Sequence, residues 1–307
     1  MDVAHGLRRR FTWINGIALT LAIIWTLFPI YWTLNASLKH WSDLYTLRDT
    51  KELVPTPSAV EGPRSVAEKQ PSSLWFPTNL TFENYRHIFV DHENPMGNNE
   101  TASWRALVTS TGVAGVATFF SMVIGLMAAF AFARHRTGGN FLPFYVLSFR
   151  MIPAMVIAIP FAYFAATLGP NVTPFMLTLI YIAYTAPLSA WLLKGFIEQV
   201  PAQLEDAAMM DGLSRWRAYL KITVPLIKGG LGATGLFIFI LNWTEGPLAV
   251  ALAYGKWTTL PVQIIDKAAS PNLQAALAVL AAIPPLAIGF YIRRDLGRAF
   301  TLGAIKN

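Results

Sequence analysis

Six long apolar runs, separated by short charged or Gly/Pro-rich segments, set the limits on what this chain can fold into. They lie at roughly 13–35, 106–131, 141–168, 174–193, 230–251 and 272–292, each close to the ~20 residues a helix needs to cross a bilayer. With 54% apolar and 13% charged residues over 307 positions, this is the composition of a membrane protein. The formal charge of +7 then has its origin in the segments between runs, not in nucleic-acid binding. Lys and Arg gather on one side: Arg8, Arg9 and Arg10 before the first run, Arg134 and Arg136 after the second, Lys194 to Lys228 between the fourth and fifth, and Arg293, Arg294, Arg298 and Lys306 at the end. By the positive-inside rule both termini face the cytoplasm. The first run is longer than a signal-peptide core and has no small-x-small site behind it, so it is expected to remain as a span. Strands of about ten alternating residues, as an outer-membrane barrel needs, do not occur in the sequence.

The most unusual segment between runs is PAQLEDAAMMDGLSRWRAYLKITVPLIKGG, residues 201–230. Pro201 suits the first turn of a short helix that carries Glu205 and Asp206 near its positive end. Gly212 offers a break. Leu213, Trp216, Leu220 and Val224, three or four residues apart, predict a second amphipathic helix that Pro225 stops. Two short helices meeting at a glycine make a handle that a partner can grip.

The handle resembles the "EAA" loop of ATP-binding-cassette importer permeases. The match runs through Asp206-Ala207-Ala208, Asp211-Gly212 and Val224-Pro225. Further matches are Asn84-Tyr85 before the second run, Met151-Ile152-Pro153 in the third, Trp243 and Glu245 in the fifth, and the ending Thr301 to Lys306. Together these resemble the sugar-importer branch, of the maltose-permease type. The resemblance implies an all-α polytopic membrane protein with six transmembrane helices and a cytoplasmic coupling-helix loop, the type I ABC importer permease fold. It implies a bacterial inner-membrane location, and a cytoplasmic N-terminus (1–12), a first span (13–35), an external loop (36–105), a permease core (106–293) that includes the loop 194–229, and a cytoplasmic tail (294–307). Its coupling residues would be Leu204, Glu205, Asp206, Ala207, Ala208, Asp211, Gly212, Trp216 and Leu220. Asp206 stands where Glu is usual, and Gly229 where Pro is common.

Residues 39–105 form an external excursion rich in Pro, Ser and charge around 54–73, a composition that disfavours a packed core. Trp41 and Tyr45 on one side and Trp75, Phe76, Phe82 and Tyr85 on the other are expected to pin its ends. About 46–72 is an insertion relative to the family pattern, either a docking surface or a tolerated lengthening. Pro143, Pro153, Pro160, Pro284 and Pro285 fall within runs, where they can mark moving kinks or static bends.

Two ionisable residues lie deep in the runs. Arg150 is about 15 Å in from residue 140 and Glu245 about 22 Å in from residue 230, at 1.5 Å per residue. Charges at such depth cost about 3 kcal/mol or more unless paired or hydrated. They line a translocation path, or they form a structural ion pair within this chain or with a second permease. Around Glu245, the residues Asn242, Trp243 and Thr244 supply the ring face and hydrogen-bonding groups that suit a hydroxylated ligand. Tyr163, and with it Tyr181 and Tyr184, can extend such a lining.

The sequence contains no G-x-x-x-x-G-K-[ST] loop, no cysteine and no paired histidines within the runs. No cofactor or metal is expected in this chain, and ATP and Mg are expected on a partner ATPase. The implied partners are a second, different permease subunit, two ATPase subunits, and a periplasmic or lipid-anchored solute-binding protein. The resemblance implies a sugar or sugar derivative as substrate, with no bond in it broken by this chain. The rival reading is a self-contained ion-coupled secondary transporter with Glu245 as the coupling carboxylate.

Overall fold

The computed structural model describes residues 2–39, 75–76, 80–90, 92–93, 99–100, 103–169, 173–252, 257–267 and 270–304. The insertion at 46–72, the expected anchors Trp41 and Tyr45, and Lys306 lie outside the described residues. The described chain is almost wholly helical, with two dipeptide strands at His92–Glu93 and Asn99–Glu100. Helices α1 (Asp2–Ser37), α3 (Ser103–Arg134), α6 (Thr173–Glu198) and α12 (Pro271–Ala304) each hold a stretch long and apolar enough to cross a membrane. Two bent pairs raise the number of candidate spans from four to as many as six among the described residues.

The first bent pair is α4 (Phe141–Ser148), extended by a 3₁₀ turn Phe149–Met151, and α5 (Ala154–Leu168), with 71° between them. Pro153 explains the break, since it has no N–H to give and pushes Ile152 into an extended conformation, ψ 124°. Pro160, Pro284 and Pro285 lie inside continuous helices instead. The second bent pair is α8 (Arg215–Leu226) and α9 (Lys228–Trp243), at 79° across Ile227.

The fifth apolar run departs from expectation. It is not one helix over 230–251: α9 ends at Trp243, and α10 (Pro247–Leu252) starts after a break at Thr244–Gly246. Pro247 cannot donate to the turn before it, and Gly246 adds conformational freedom at the same place. Composition alone hides this because both flanks are apolar. A short helix, α11 (Leu260–Asp266), precedes α12.

The chain divides into two units, Met1–Asn99 with Asp266–Leu280, and Glu100–Ile265 with Ala281–Asn307. In the first unit, the apolar window of α1 has none of its residues buried. Its C-terminal end is tied by polar contacts. Asn84, on α2 (Glu83–Phe89), donates from Nδ2 to the carbonyls of Ser37 (2.8 Å) and Lys39 (2.9 Å), and its Oδ1 accepts from Asn272 Nδ2 at 2.6 Å. The Ser37 carbonyl belongs to the last turn of α1, which has no intrahelical donor left for it, and that of Lys39 lies just beyond the helix end. The Trp75 ring lies 6.2 Å from Trp32 and 6.3 Å from Phe28, and Asn35 Nδ2 donates to its carbonyl at 3.2 Å.

In the second unit, α3 and α6 form the spine. The buried residues of α3 recur every three or four positions and are mostly small: Ser103, Ala106, Ser110, Ala114, Ala117, Ser121, Gly125 and Ala129. Small side chains let membrane helices approach closely where no hydrophobic gain separates lipid from protein. A Cβ on Gly125 would overlap Ser189 Oγ and lie 3.0 Å from the Ala190 amide nitrogen. Four residues earlier, Ser121 and Thr185 share a buried hydroxyl bond of 2.8 Å. One apolar core joins α3, α5, α6, α10 and α11 around Ala117, Ala158, Leu177, Tyr181, Leu248 and Val262. Another, at the opposite end of the spine, joins Ala129, Phe130, Leu193, Ile197, Tyr219 and Ile227.

Candidate functional site

The polar handle folds into α7 (Gln203–Met210) and α8, joined by a tight turn. The first helix starts two residues later than Pro201, and the Pro201 carbonyl accepts the Leu204 N–H at 3.2 Å. Its end is a Schellman turn: Leu213 N–H bonds Ala208 O (3.2 Å), and Gly212 N–H bonds Met209 O (3.0 Å). Gly212 has φ +91°, which any Cβ would disfavour although open space surrounds it. Ser214 then caps α8, its hydroxyl accepting from Arg217 N–H at 3.4 Å. Pro225 does not end α8 directly. It lacks an N–H and crowds the carbonyl four residues back, and the preceding turn Tyr219–Thr223 widens to π geometry, with Val224 N–H bonding Tyr219 O.

The nine coupling candidates divide by direction. Leu204, Asp206, Ala207, Asp211, Gly212, Trp216 and Leu220 are exposed, whereas Glu205 (5% exposed) and Ala208 (6%) face the chain's own interior. Glu205 and Asp206 are neighbours on α7, about 100° apart around it, so one acid is turned in and the other out. Glu205 Oε1 accepts from Arg134 Nε at 2.8 Å and from the buried Thr223 hydroxyl. Arg134 Nη2 also holds the Val200 carbonyl at 2.9 Å. Beside this, the Tyr219 ring lies 4.1 Å from Phe130, and its hydroxyl donates to Leu126 O at 3.2 Å. Burial, and then the Glu205 carboxylate, push the Tyr219 hydroxyl well above the usual phenol range, so it remains a donor. Trp216 stacks nearby, 5.3 Å from Tyr219, and Arg215 Nη1 is 3.1 Å from His135 Nε2. Arg134, Thr223 and Tyr219 were not singled out as site residues from the sequence. The available signal was an arginine closing the apolar run AFAFAR.

The second candidate region lies at the two helix breaks. Arg150, on the 3₁₀ turn before Pro153, places Cζ 5.0 Å over the Tyr184 ring, and Tyr184 donates to its carbonyl at 3.2 Å. Its Nη1 is buried and has no hydrogen-bond partner among the described residues. Glu245 sits in the break between α9 and α10, where Oε1 accepts the Leu248 N–H at 3.2 Å and the carbonyl accepts from Tyr181 at 3.2 Å. Among the described residues no hydrogen bond joins Arg150 Nη1 to Glu245. A crevice too tight to hold a water molecule is lined by Ser110, Tyr181, Asn242, Trp243, Glu245 and Thr259, among others.

The remaining path candidates differ in exposure. Trp243 is 3% exposed, donates Nε1–H to Ala281 O at 2.9 Å and stacks on Phe239 at 5.6 Å. Asn242 is 4% exposed and donates to Thr118 Oγ1 at 3.2 Å. Thr244 is exposed, with its hydroxyl spent on Ile240 O, and Tyr163 is 77% exposed on α5. Asn242 and Trp243 thus line the crevice beside Glu245 with their polar groups engaged by other helices, whereas Thr244 and Tyr163 are exposed and Arg150 and Glu245 half-buried.

Comparison with known proteins places this architecture. The signature of the family described as "Binding-protein-dependent transport system inner membrane component" matches residues 121–300, which include α7, α8 and both sides of the Glu245 break. The chain is 31% identical over 304 residues to the diacetylchitobiose uptake system permease protein DasC of Streptomyces coelicolor, covering 96% of each. It is 29% identical to the trehalose transport system permease protein SugB of Mycobacterium tuberculosis, covering 98% of this chain and 99% of that one. Among solved structures, a chain of a bacterial ABC transporter involved in the import of the acidic polysaccharide alginate superposes with a TM-score of 0.66 at 19% identity, covering 94% of this chain and 96% of that chain, a likeness of fold. The chain therefore belongs to the binding-protein-dependent transport system inner membrane components, the permease subunits of ABC importers.

Proposed function

We propose that the chain is the permease subunit of an ATP-driven, binding-protein-dependent importer for a sugar or sugar derivative, and forms half of its translocation pathway. The observation that carries this is the 31% identity over nearly the whole length to a permease named for diacetylchitobiose uptake, supported by the similar relation to one named for trehalose. The other half of the pathway is a second, different permease subunit. Two ATPase subunits bind ATP and Mg beneath, and a periplasmic or lipid-anchored solute-binding protein delivers the substrate outside.

In this reading the protein is multi-pass in the bacterial inner membrane. Residues 1–12, the loop 194–229 and the tail 294–307 are cytoplasmic, and 36–105 are periplasmic. The exposed side chains Leu204, Asp206, Ala207, Asp211, Trp216 and Leu220 meet the ATPase. Closure of the ATPase dimer displaces this loop, and the helices exchange inward- and outward-open arrangements as the populations shift. Arg150, Tyr163, Thr244 and Glu245 face the passing substrate, and Asn242 and Trp243 hold the break that presents Glu245.

Co-purification with the ATPase subunit, comparing the parent with Gly212→Pro and Asp206→Lys, tests the proposal. Retained ATPase and sugar-stimulated hydrolysis in the parent, both lost in the variants, is the expected result. A chain that purifies alone and carries solute into liposomes without ATP overturns it in favour of an ion-coupled carrier.

A further inference from the structure

The covalent and non-covalent routes out of the handle differ in stiffness. Along the chain, α8 continues into α9 only through Ile227, across a 79° bend. Through space, the handle is fastened to α3 at several points. Arg134, the last residue of α3, binds Glu205 of α7 and the Val200 carbonyl ahead of it, and Thr223 of α8 donates to the same Glu205 oxygen. The side chains of Arg134 and Glu205 are 11% and 6% exposed, so water competes little for either. One arginine thereby joins three pieces of backbone that sequence separates, and Tyr219 adds a bond to Leu126, two turns back along α3.

We infer that Arg134 is a positioning residue for energy coupling: it clamps Glu205 and Val200 so that the exposed face of the handle moves as one piece with the cytoplasmic end of α3. Glu205 acts from inside this joint, and Asp206 beside it is left to meet the partner. A push on Leu204, Asp206 or Ala207 then enters α3 directly. From there it reaches α6 across the Gly125–Ser189 contact. The inference rests on the importer reading proposed above.

The chain has no cysteine, so pairs of spin labels can be placed without removing native thiols. In the assembled importer in lipid nanodiscs, one pair joins Met210→Cys to Thr137→Cys, and a second joins Met210→Cys to Phe237→Cys, all at exposed positions. Pulsed distance measurements with and without a non-hydrolysable ATP analogue should leave the first distance unchanged. In an Arg134→Leu background that distance should broaden, and uptake should fall about tenfold while ATP hydrolysis continues. Thr223→Val, which removes one donor, should give a smaller change of the same kind. The inference is overturned if the first distance shifts with nucleotide as much as the second, or if Arg134→Leu keeps a sharp distance and parental uptake. Should Arg134→Leu fail to assemble, parental distance and uptake in Thr223→Val overturn it equally. If the parent retains no ATPase subunit, the importer reading falls. The first label pair still reads the joint in the lone chain, where no broadening with Arg134→Leu would sink it.

Discussion

The molecule holds two sets of arginine and glutamate, and it treats them in opposite ways. At the end of α3, Arg134 and Glu205 are in contact at 2.8 Å, and the carboxylate receives a further hydroxyl bond. At the helix breaks, Arg150 has a buried nitrogen without a partner, and Glu245 is engaged by a backbone N–H. The first set is spent on bonds within the chain, to each other, to the Val200 carbonyl and to the Thr223 hydroxyl. The second keeps hydrogen-bonding capacity in reserve inside an apolar run, where holding it costs stability. A group kept at such a cost is a candidate for something that comes and goes, whereas an ion pair closed within the chain is a candidate for holding shape.

Substitutions that strike one set and spare the other sharpen this contrast. The largest effect is expected for Arg134→Leu, which strands a buried carboxylate: roughly 3–5 kcal/mol of stability is lost, seen as a lower unfolding temperature in detergent. Gly212→Ala should cost about 1–2 kcal/mol by forcing a Cβ into a positive-φ turn. Because nothing crowds that position, the loss should appear as weaker retention of the ATPase without disturbance of the spans. Tyr219→Phe removes only the bond to Leu126 and should cost about 1 kcal/mol, with the stacking on Phe130 intact. Arg150→Leu is expected to change stability least, within about 1 kcal/mol of neutral, because it removes a buried nitrogen without a hydrogen bond together with the guanidinium's contact with the Tyr184 ring. Sugar uptake should nevertheless fall. If Arg150→Leu instead unfolds the protein while Arg134→Leu is silent, the contrast is reversed.

Much of the handle was legible in the sequence because its signals are local. Gly212 can be read as a break from its own backbone freedom, and the spacing of Trp216 and Leu220 gives a helix within two turns. The apolar runs were legible for the same reason. What could not be read depends on distant partners. Glu205 and Asp206 look equivalent in a string, and only the placement of Arg134, 71 residues earlier, decides which one turns inward. Likewise the sequence does not show that Ala281 and Thr118, on other helices, engage Trp243 and Asn242 beside Glu245. The gap between α9 and α10 was hidden by apolar residues on both sides, so hydropathy ran through a place where the backbone turns.

The sequence distance between Arg134 and Glu205 also has a meaning in time. At about 5–20 residues per second, synthesis of the 71 residues from His135 through Glu205 occupies several seconds. During that interval Arg134 has no carboxylate to bind and acts as a bare positive charge at the end of a newly inserted helix. In the proposed orientation such a charge keeps that end in the cytoplasm. Only when α7 emerges is it converted from a topological signal into a fastening, so one side chain serves biogenesis first and the finished transporter afterwards.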